Sequence, residues 1–331
     1  MLTRLSTLIL MLLPVLIAGC RASHPAMTEA NARPSTGQDS VLQRAGLWDA
    51  HVHLSLYGSS ALDSLVTHGV VAVRDLGGNL DTSLTWRSEV AAGQRRGPRI
   101  YTAGAILDGP KADATTPRWT VRTADDAERA VDSLANRHVD FIKTHNGLSR
   151  PAYFAVLRRA RSRGLRVASH LPRGVPAWEA ADSGVGSIEH AAESMLASPI
   201  YAGYATSVDE AMAWWRSPAG AMAISRLAAH RTLAITPTLA LYAANVDRPQ
   251  REDERAGRRR VLTFLVELTG RLHRAGIPLL AGSDVSVPES GMVPGPSLLE
   301  ELAWLERCGL TPSEARTAAS ENIARWLSTE P

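Results

Sequence analysis

The stretch VDFIKTHNGLSRPAYFAVLRRARSRGLRVASH, residues 139–170, decides the fold that this sequence predicts. A short apolar run at 139–145 is typical of a buried strand. The helical pattern at 150–163 ends at Gly164, the residue type that helix C-termini prefer. A second apolar run begins at Leu165. A strand, a helix and a strand in this order predict a parallel α/β unit.

The same alternation continues along the rest of the chain. We predict eight strands, at 47–54, 70–76, 99–106, 139–145, 165–171, 185–190, 233–241 and 277–284. The helices are predicted at 60–68, 81–95, 124–137, 150–163, 175–183, 208–230, 251–275 and 297–308, with one or two closing helices between Thr311 and Ser328. Eight strands with eight crossover helices favour an α/β fold, a (β/α)8 TIM barrel, for which roughly 280 residues is an ordinary size.

The first twenty residues have the pattern of a secretory signal. Arg4 precedes a short apolar run, which ends in the lipobox-like sequence Ile17-Ala18-Gly19-Cys20. The run is too short to cross a membrane comfortably. We therefore expect a lipoprotein signal peptide over 1–20, with Cys20 lipidated and forming the mature N-terminus. An ordinary signal peptide or an uncleaved anchor is the alternative.

Residues 21–46 are rich in Ala, Ser, Thr, Pro and Gln and have no apolar periodicity. This composition predicts a flexible tether between the lipid and a catalytic barrel at 47–331. We expect an exported lipoprotein whose membrane contact is its N-terminal lipid anchor, on the periplasmic or outer-membrane face in a Gram-negative cell. Arg21 follows the lipidated residue, and no Asp is there to signal inner-membrane retention.

Composition narrows the class of protein further. The 331 residues are 45% hydrophobic and 21% charged, as in globular domains. The net charge is +3, but the arginines are scattered and no basic stripe with interleaved aromatic residues is present. We therefore expect no nucleic-acid partner.

Lysine is scarce in this chain. Of 36 Lys and Arg residues, only Lys111 and Lys143 are lysines, and Lys143 lies at the end of a predicted strand. A guanidinium stays protonated, whereas a desolvated lysine can become a neutral amine. Such an amine can add CO2 to form a carbamate that bridges two metal ions. A lysine that extends from a strand end to solvent is the other interpretation.

Metal-binding side chains recur at the ends of predicted strands, which form the active-site face of this barrel. Two histidines separated by one residue project from the same strand face and can form two corners of a metal site. The candidate ligands are His51 and His53 on the first strand, Lys143 on the fourth, His170 on the fifth, His190 on the sixth and Asp284 on the eighth. Six such groups at one face predict a metal centre.

These motifs resemble the amidohydrolase superfamily, and within it the branch of imidazolonepropionase and Xaa-Pro dipeptidase. The resemblance runs from Leu47 to Arg325. The matching stretches are Asp49-Ala50-His51-Val52-His53-Leu54, Val73-Arg74-Asp75-Leu76-Gly77-Gly78, Gly97-Pro98-Arg99-Ile100, Val139-Asp140-Phe141-Ile142-Lys143, Ser187-Ile188-Glu189-His190, Thr236-Pro237-Thr238-Leu239, Ala281-Gly282-Ser283-Asp284 and Gly309-Leu310-Thr311-Pro312-Ser313-Glu314-Ala315.

The resemblance implies two divalent metal ions, with zinc the usual occupant. It implies that His51, His53 and Asp284 hold the more buried ion, that His170 and His190 hold the second, and that carbamylated Lys143, made with CO2, bridges both. A hydroxide shared by the ions would attack an amide-like carbonyl, and Asp284 would pass its proton to the leaving nitrogen.

The resemblance leaves the substrate open, between a dipeptide, an N-acyl amino acid and similar small molecules. His145 and Tyr242 are candidate substrate contacts, with packing at the barrel mouth as the alternative. Relatives often add a β-sandwich from both termini. We expect a bare barrel here, because the tether is short and polar, and a homo-oligomer is an open option.

Two other functions fit the same residues. A mononuclear cyclic-amide hydrolase or deaminase would use His51, His53, His170 and Asp284 and would need no carbamate on Lys143. A surface lipoprotein that keeps the barrel as a binding module, without turnover, is the non-catalytic option.

Overall fold

The computed structural model describes residues 46–110, 117–248 and 252–329. The predicted signal peptide, Cys20 and all of the tether but Gly46 lie outside these residues. The strands are β1 (Leu47–Val52), β2 (Val70–Asp75), β3 (Arg99–Thr102), β4 (Ile106–Asp108), β5 (Arg118–Thr120), β6 (Ile142–Thr144), β7 (Val167–Ser169), β8 (Ser187–Glu189) and β9 (Ala234–Thr236).

Helices follow most of these strands. The α-helices are α1 (Leu54–Tyr57), α2 (Ser60–Thr67), α3 (Leu80–Ala91), α4 (Ala124–Asn136), α5 (Arg150–Ser162), α6 (Ala177–Asp182), α7 (Ser198–Tyr201), α8 (Val208–Arg216), α9 (Pro218–Ala228), α10 (Leu239–Asp247), α11 (Glu252–Arg274), α12 (Pro296–Arg307), α13 (Pro312–Ala318) and α14 (Glu321–Ser328). A π-helix (Ala191–Leu196) and a 3-10 turn (Pro288–Ser290) complete the described elements. No helix among them is long and apolar enough to cross a membrane.

The strands form two parallel sheets, with the orders β1-β2-β3 and β5-β4-β6-β7-β8-β9. The predicted α/β fold with parallel strands is therefore confirmed. One backbone hydrogen bond also joins the two sheets. The N–H of Asp140, just before β6, donates to the carbonyl of Thr102 in β3 at 2.9 Å.

The prediction of a regular strand at 277–284 is wrong. The segment pairs with its neighbours only through isolated bridges, Leu279 with Ile235 and Val285 with Val52. Some of its N–H groups bond elsewhere: that of Ala281 donates to the carbonyl of Ala318. Backbone bonds still join the segment to β9 on one side and to β1 on the other.

Several other predicted boundaries also differ from the structure. The strand predicted at 99–106 divides into β3 and β4 around Gly104, whose φ of +69° lies in the left-handed region that glycine adopts easily. The helix predicted at 208–230 breaks into α8 and α9, because Pro218 lacks an N–H and Ser217 caps the new helix. The strand predicted at 233–241 is shorter, since α10 begins at Leu239. β5 and the π-helix were not predicted.

Trp326 of α14 lies in a core cluster that takes residues from, or beside, strands of both sheets. The guanidinium carbons of Arg74 and Arg166 lie 4.3 and 4.8 Å from the centroid of its ring. Its edge meets Phe141, and its Nε1 donates to the carbonyl of Gly186 at 2.8 Å. These contacts pack the C-terminal helix α14 against the core residues of both sheets.

We expect Trp326→Ala to lower the free energy of unfolding by about 3–5 kcal/mol, the usual cost of removing a buried tryptophan. Urea unfolding of metal-free protein measures it. The control is Arg325→Ala on the exposed face of the same helix, which should change stability by no more than about 0.5 kcal/mol. Equal effects of the two substitutions would contradict the anchoring role.

Candidate metal centre

The carboxyl ends of the strands bring His51, His53 and Asp284 together. One ligand atom from each residue lies within 4.8 Å of the others. Asp284 Oδ1 is 3.4 Å from His51 Nε2 and 3.5 Å from His53 Nε2. His51 lies on β1 and His53 directly follows it, so their spacing of two residues keeps both rings on one side of the strand.

His190 and His170 extend this group on the other side of Asp284. Asp284 Oδ2 is 3.6 Å from His190 Nδ1. The His190 ring centroid is 4.8 Å from that of His51 and 4.8 Å from that of His170. His170 and His190 directly follow β7 and β8, so all five groups lie at the same end of the strands.

Lys143 of β6 is 1% exposed. Burial lowers the pKa of its amine, against the opposing charges of Glu189 and Asp284. After burial, its charge is among the causes that lower the pKa values of the four candidate ligand histidines. A neutral amine is therefore accessible near neutral pH.

Three buried polar atoms at this centre have no hydrogen-bond partner among the described residues: His51 Nε2, Lys143 Nζ and His170 Nε2. Buried nitrogens are normally paired, so each unpaired one calls for a missing partner. Imidazole nitrogens and carboxylate oxygens are ligands that zinc and similar divalent ions accept. The residues present therefore fit a metal centre.

Hydrogen bonds fix the tautomers of the two β1 histidines. His51 Nδ1 lies 2.9 Å from Glu189 Oε2, and His53 Nδ1 lies 2.6 Å from the carbonyl of Gly77. Both partners only accept, so each Nδ1 carries the proton and each Nε2 directs a lone pair at the centre. Burial and the charge of Lys143 lower the pKa of His51 to about 4, against the effect of Glu189, so this ring is neutral at neutral pH.

Glu189 is itself held by Arg74, which is fully buried. The guanidinium donates to Glu189 Oε1 at 2.8 Å and, through Nε, to the carbonyl of Ala50 at 2.7 Å. Burial alone would raise the pKa of Glu189, but Arg74 and His51 outweigh it and hold the pKa well below the usual range. Sequence reasoning gave neither residue a role. The sequence did contain a signal for both residues, since each is a charged residue inside a predicted strand of mostly apolar residues.

Backbone conformation is unusual at this centre. Among the described residues, four non-glycine positions have φ between +52° and +66°, and three of them are His190, Thr238 and Asp284. Such conformations cost free energy and persist where the surroundings enforce them. Gly282 is also constrained, because a Cβ there would lie 2.7 Å from His51 Cβ.

The two candidate substrate residues differ in position. The His145 ring centroid is 4.4 Å from that of His170, and His145 Nδ1 is 3.2 Å from Asp108 Oδ2, so His145 borders the centre. Tyr242 lies on α10, and burial raises the pKa of its hydroxyl. Within residues 46–110, 117–248 and 252–329, no hydrogen bond joins Tyr242 to the ligand group.

The fold and this site together define an α/β protein with a candidate metal centre at the carboxyl ends of parallel strands. Among solved structures, the chain is similar to bottromycin amidohydrolase, with a TM-score of 0.69 and 24% identity over 87% of this chain and 68% of that one. It is similar to the A. niger ochratoxinase, with a TM-score of 0.64 and 17% identity over 86% of this chain and 71% of that one.

A Xaa-Pro dipeptidase with methionine bound in its active site is also similar, with a TM-score of 0.63 and 18% identity over 86% of this chain and 75% of that one. No family model and no curated protein sequence matches the chain. At these identities the likeness shows a common fold, which is the fold of these hydrolases.

We expect Glu189→Gln to lower the free energy of unfolding of metal-free protein by about 3–5 kcal/mol, because it leaves the buried Arg74 charge without its partner. Denaturant unfolding measures the change. The matched control is Glu179→Gln, which removes a carboxylate from a pair with Arg150 whose side chains are 46% and 35% exposed. That loss should be about 1 kcal/mol or less. Similar losses at the two positions would contradict the role of burial.

Proposed function

We propose that this protein is a binuclear metal-dependent hydrolase of an amide-like C–N bond. The observation that carries the proposal is the group of buried, unpaired nitrogens on His51, Lys143 and His170 around Asp284. Packing alone gives no reason for unpaired buried nitrogens to converge. The similar structures are an amidohydrolase and a Xaa-Pro dipeptidase by name, which supports C–N hydrolysis.

We also propose that the two sheets and the 277–285 segment close into one (β/α)8 barrel. The bond from Asp140 N to Thr102 O supports contact between the sheets at β3 and β6. On the other side, the N–H of Leu280 donates to Ile235 O at 2.9 Å and the N–H of Ala50 donates to Ala281 O at 2.8 Å.

In this proposal two ion sites share the centre. The first ion site is formed by His51, His53 and Asp284, and the second ion site by His170 and His190, with carbamylated Lys143 between them. When bound, divalent ions such as zinc lower the pKa of a water toward neutrality and polarise the carbonyl that is attacked.

Lys143 would be carbamylated by CO2. Its neutral amine attacks the carbon of CO2 and releases one proton, which leaves an N-carboxylate with two ligand oxygens. The buried position favours the neutral amine that this addition needs. An arginine at this position could not react in the same way.

Asp284 is the residue proposed to move the proton. Burial raises the pKa of its carboxyl, the charge of Lys143 lowers it, and the neighbouring Glu193 and Glu189 raise it further. These shifts describe the metal-free protein. In the proposed enzyme Asp284 would hold an ion as a carboxylate, and its free oxygen would take the proton of the attacking hydroxide and deliver it to the leaving nitrogen. His145 lies beside His170, with its Nδ1 3.2 Å from Asp108 Oδ2, and is placed to contact a small-molecule or short-peptide substrate.

We expect zinc-loaded protein with bicarbonate to hydrolyse members of a library of dipeptides and N-acyl amino acids. Lys143→Arg should lower kcat/KM more than about a hundredfold, since it removes a group that both ions would share. 13C-bicarbonate should label a carbamate carbon in the wild type, detected by NMR, and no such signal should remain in Lys143→Arg.

Metal analysis distinguishes the alternatives. One tightly bound ion with an active Lys143→Ala variant would replace this proposal with a mononuclear cyclic-amide hydrolase or deaminase that uses His51, His53, His170 and Asp284. A metal-loaded protein without turnover on amides, esters and lactones would favour a binding module instead.

We propose that the enzyme is exported and lipid-anchored through Cys20, on the strength of the Ile17-Ala18-Gly19-Cys20 sequence. Expressed with its signal, the wild type should fractionate with membranes and incorporate labelled palmitate. Cys20→Ala should lose the label and leave the membrane fraction if lipid is the anchor. Continued palmitate labelling of Cys20→Ala would contradict the proposal.

A further inference from the structure

Thr238 occupies a position at which threonine normally caps a helix. It is the N-cap of α10, where a hydroxyl usually accepts a hydrogen bond from an N–H of the first turn. Here the backbone of Thr238 is left-handed, with φ 52° and ψ 45°, and its side chain makes no such bond. Its Oγ1 lies instead 2.9 Å from His190 Nδ1.

A carboxylate from another helix takes over the capping of α10. Glu301 of α12 accepts a hydrogen bond from the N–H of Ala240 at 2.7 Å. Glu301 is fully buried and lies 61 positions after Ala240 in the sequence. Burial raises the pKa of this carboxyl to about 8, so Glu301 caps the helix as a hydrogen-bond acceptor for one of the unpaired N–H groups of the first turn.

The turn before α10 also fixes the backbone of His190. The N–H of His190 donates to the carbonyl of Thr236 at 2.9 Å, and the N–H of Ala191 donates to that of Pro237 at 3.0 Å. Thr238 contacts the His190 ring through its hydroxyl. Three consecutive residues, 236–238, therefore contact the residues that follow β8. A change in the conformation of Thr238 would therefore move the His190 ring.

We infer that Glu301 is a positioning residue for the second ion site: by capping α10, it frees the Thr238 hydroxyl to orient His190. The inference rests on the proposed function. The Thr238 hydroxyl can accept a hydrogen bond from His190 Nδ1–H, and in that tautomer Nε2 keeps its lone pair for an ion. The effect of Glu301 reaches the centre through Thr238, since Glu301 has no hydrogen bond to any ligand residue among the described residues.

Zinc titration of metal-free protein, followed by calorimetry, tests this inference. Glu301→Met has a similar volume and no acceptor for the Ala240 N–H. It should raise the dissociation constant of the second ion about tenfold, the lower end of what supporting hydrogen bonds contribute. The first ion should bind with unchanged affinity. Glu301→Gln retains an acceptor for Ala240 N–H, so it should bind both ions within about twofold of the wild type.

Two further variants separate positioning from stability. Leu305→Ala removes a fully buried side chain from the same helix. It should lower the unfolding temperature and leave the second ion's affinity unchanged. Thr238→Ala should weaken the second ion as Glu301→Met does, whereas Thr238→Ser should not. The double variant of Glu301→Met and Thr238→Ala should be no weaker than Thr238→Ala alone, because both changes act through one hydroxyl.

Glu301→Met with wild-type affinity for the second ion and a lowered unfolding temperature would overturn the inference and leave Glu301 as a helix cap only.

A wild type that binds a single ion would contradict the binuclear function instead. In that case NMR of metal-free, 15N-histidine-labelled protein decides. The His190 Nδ1–H resonance, assigned by its absence in His190→Asn, should be protected in the wild type and in Glu301→Gln and exchange at least tenfold faster in Glu301→Met. Equal protection in Glu301→Met would overturn the inference.

Discussion

The carboxylate of Glu189 is shared between the guanidinium of Arg74 and the imidazole of His51, at 2.8 and 2.9 Å. All three residues are fully buried, so the charge of Arg74 would be very unfavourable without this partner. Arg74 also donates to the backbone of Ala50 and packs on Trp326. One ion pair thus connects β1, β2, β8 and the C-terminal helix, and it fixes the proton of His51 on the nitrogen that faces away from the centre.

Three other proposed ligands are also held by features outside the ligand set. His53 depends on the carbonyl of Gly77, His190 on the hydroxyl of Thr238, and Asp284 on a backbone in the left-handed region. Supporting contacts of this kind orient ligands before any ion arrives. The centre combines this preorganisation with unpaired nitrogens and strained backbone, which are unfavourable in the metal-free protein and become useful when an ion is bound.

Much of this could be predicted from local sequence. The apolar runs ending in His, Lys and Asp predicted parallel strands and the set of groups at their ends, because periodicity and glycine placement are local properties. Arg74, Glu189, Thr238 and Glu301 had no recognised role, because each acts through a partner distant in sequence. Glu301, for example, caps a helix that begins 62 positions earlier in the chain.

The sequence by itself determined the parallel α/β fold and the identity of the candidate ligands, since strand and helix patterns depend on neighbouring residues. Only the tertiary structure decided how the 277–285 segment is held, because Ala281 and Ser283 give their N–H groups to Ala318 and Asp49 rather than to a regular ladder. It also decided which nitrogen of each β1 histidine faces the centre, and it surrounded Lys143 with enough protein to favour a neutral amine. Hydrogen-bond partners and desolvation arise from long-range packing, and no local pattern encodes them.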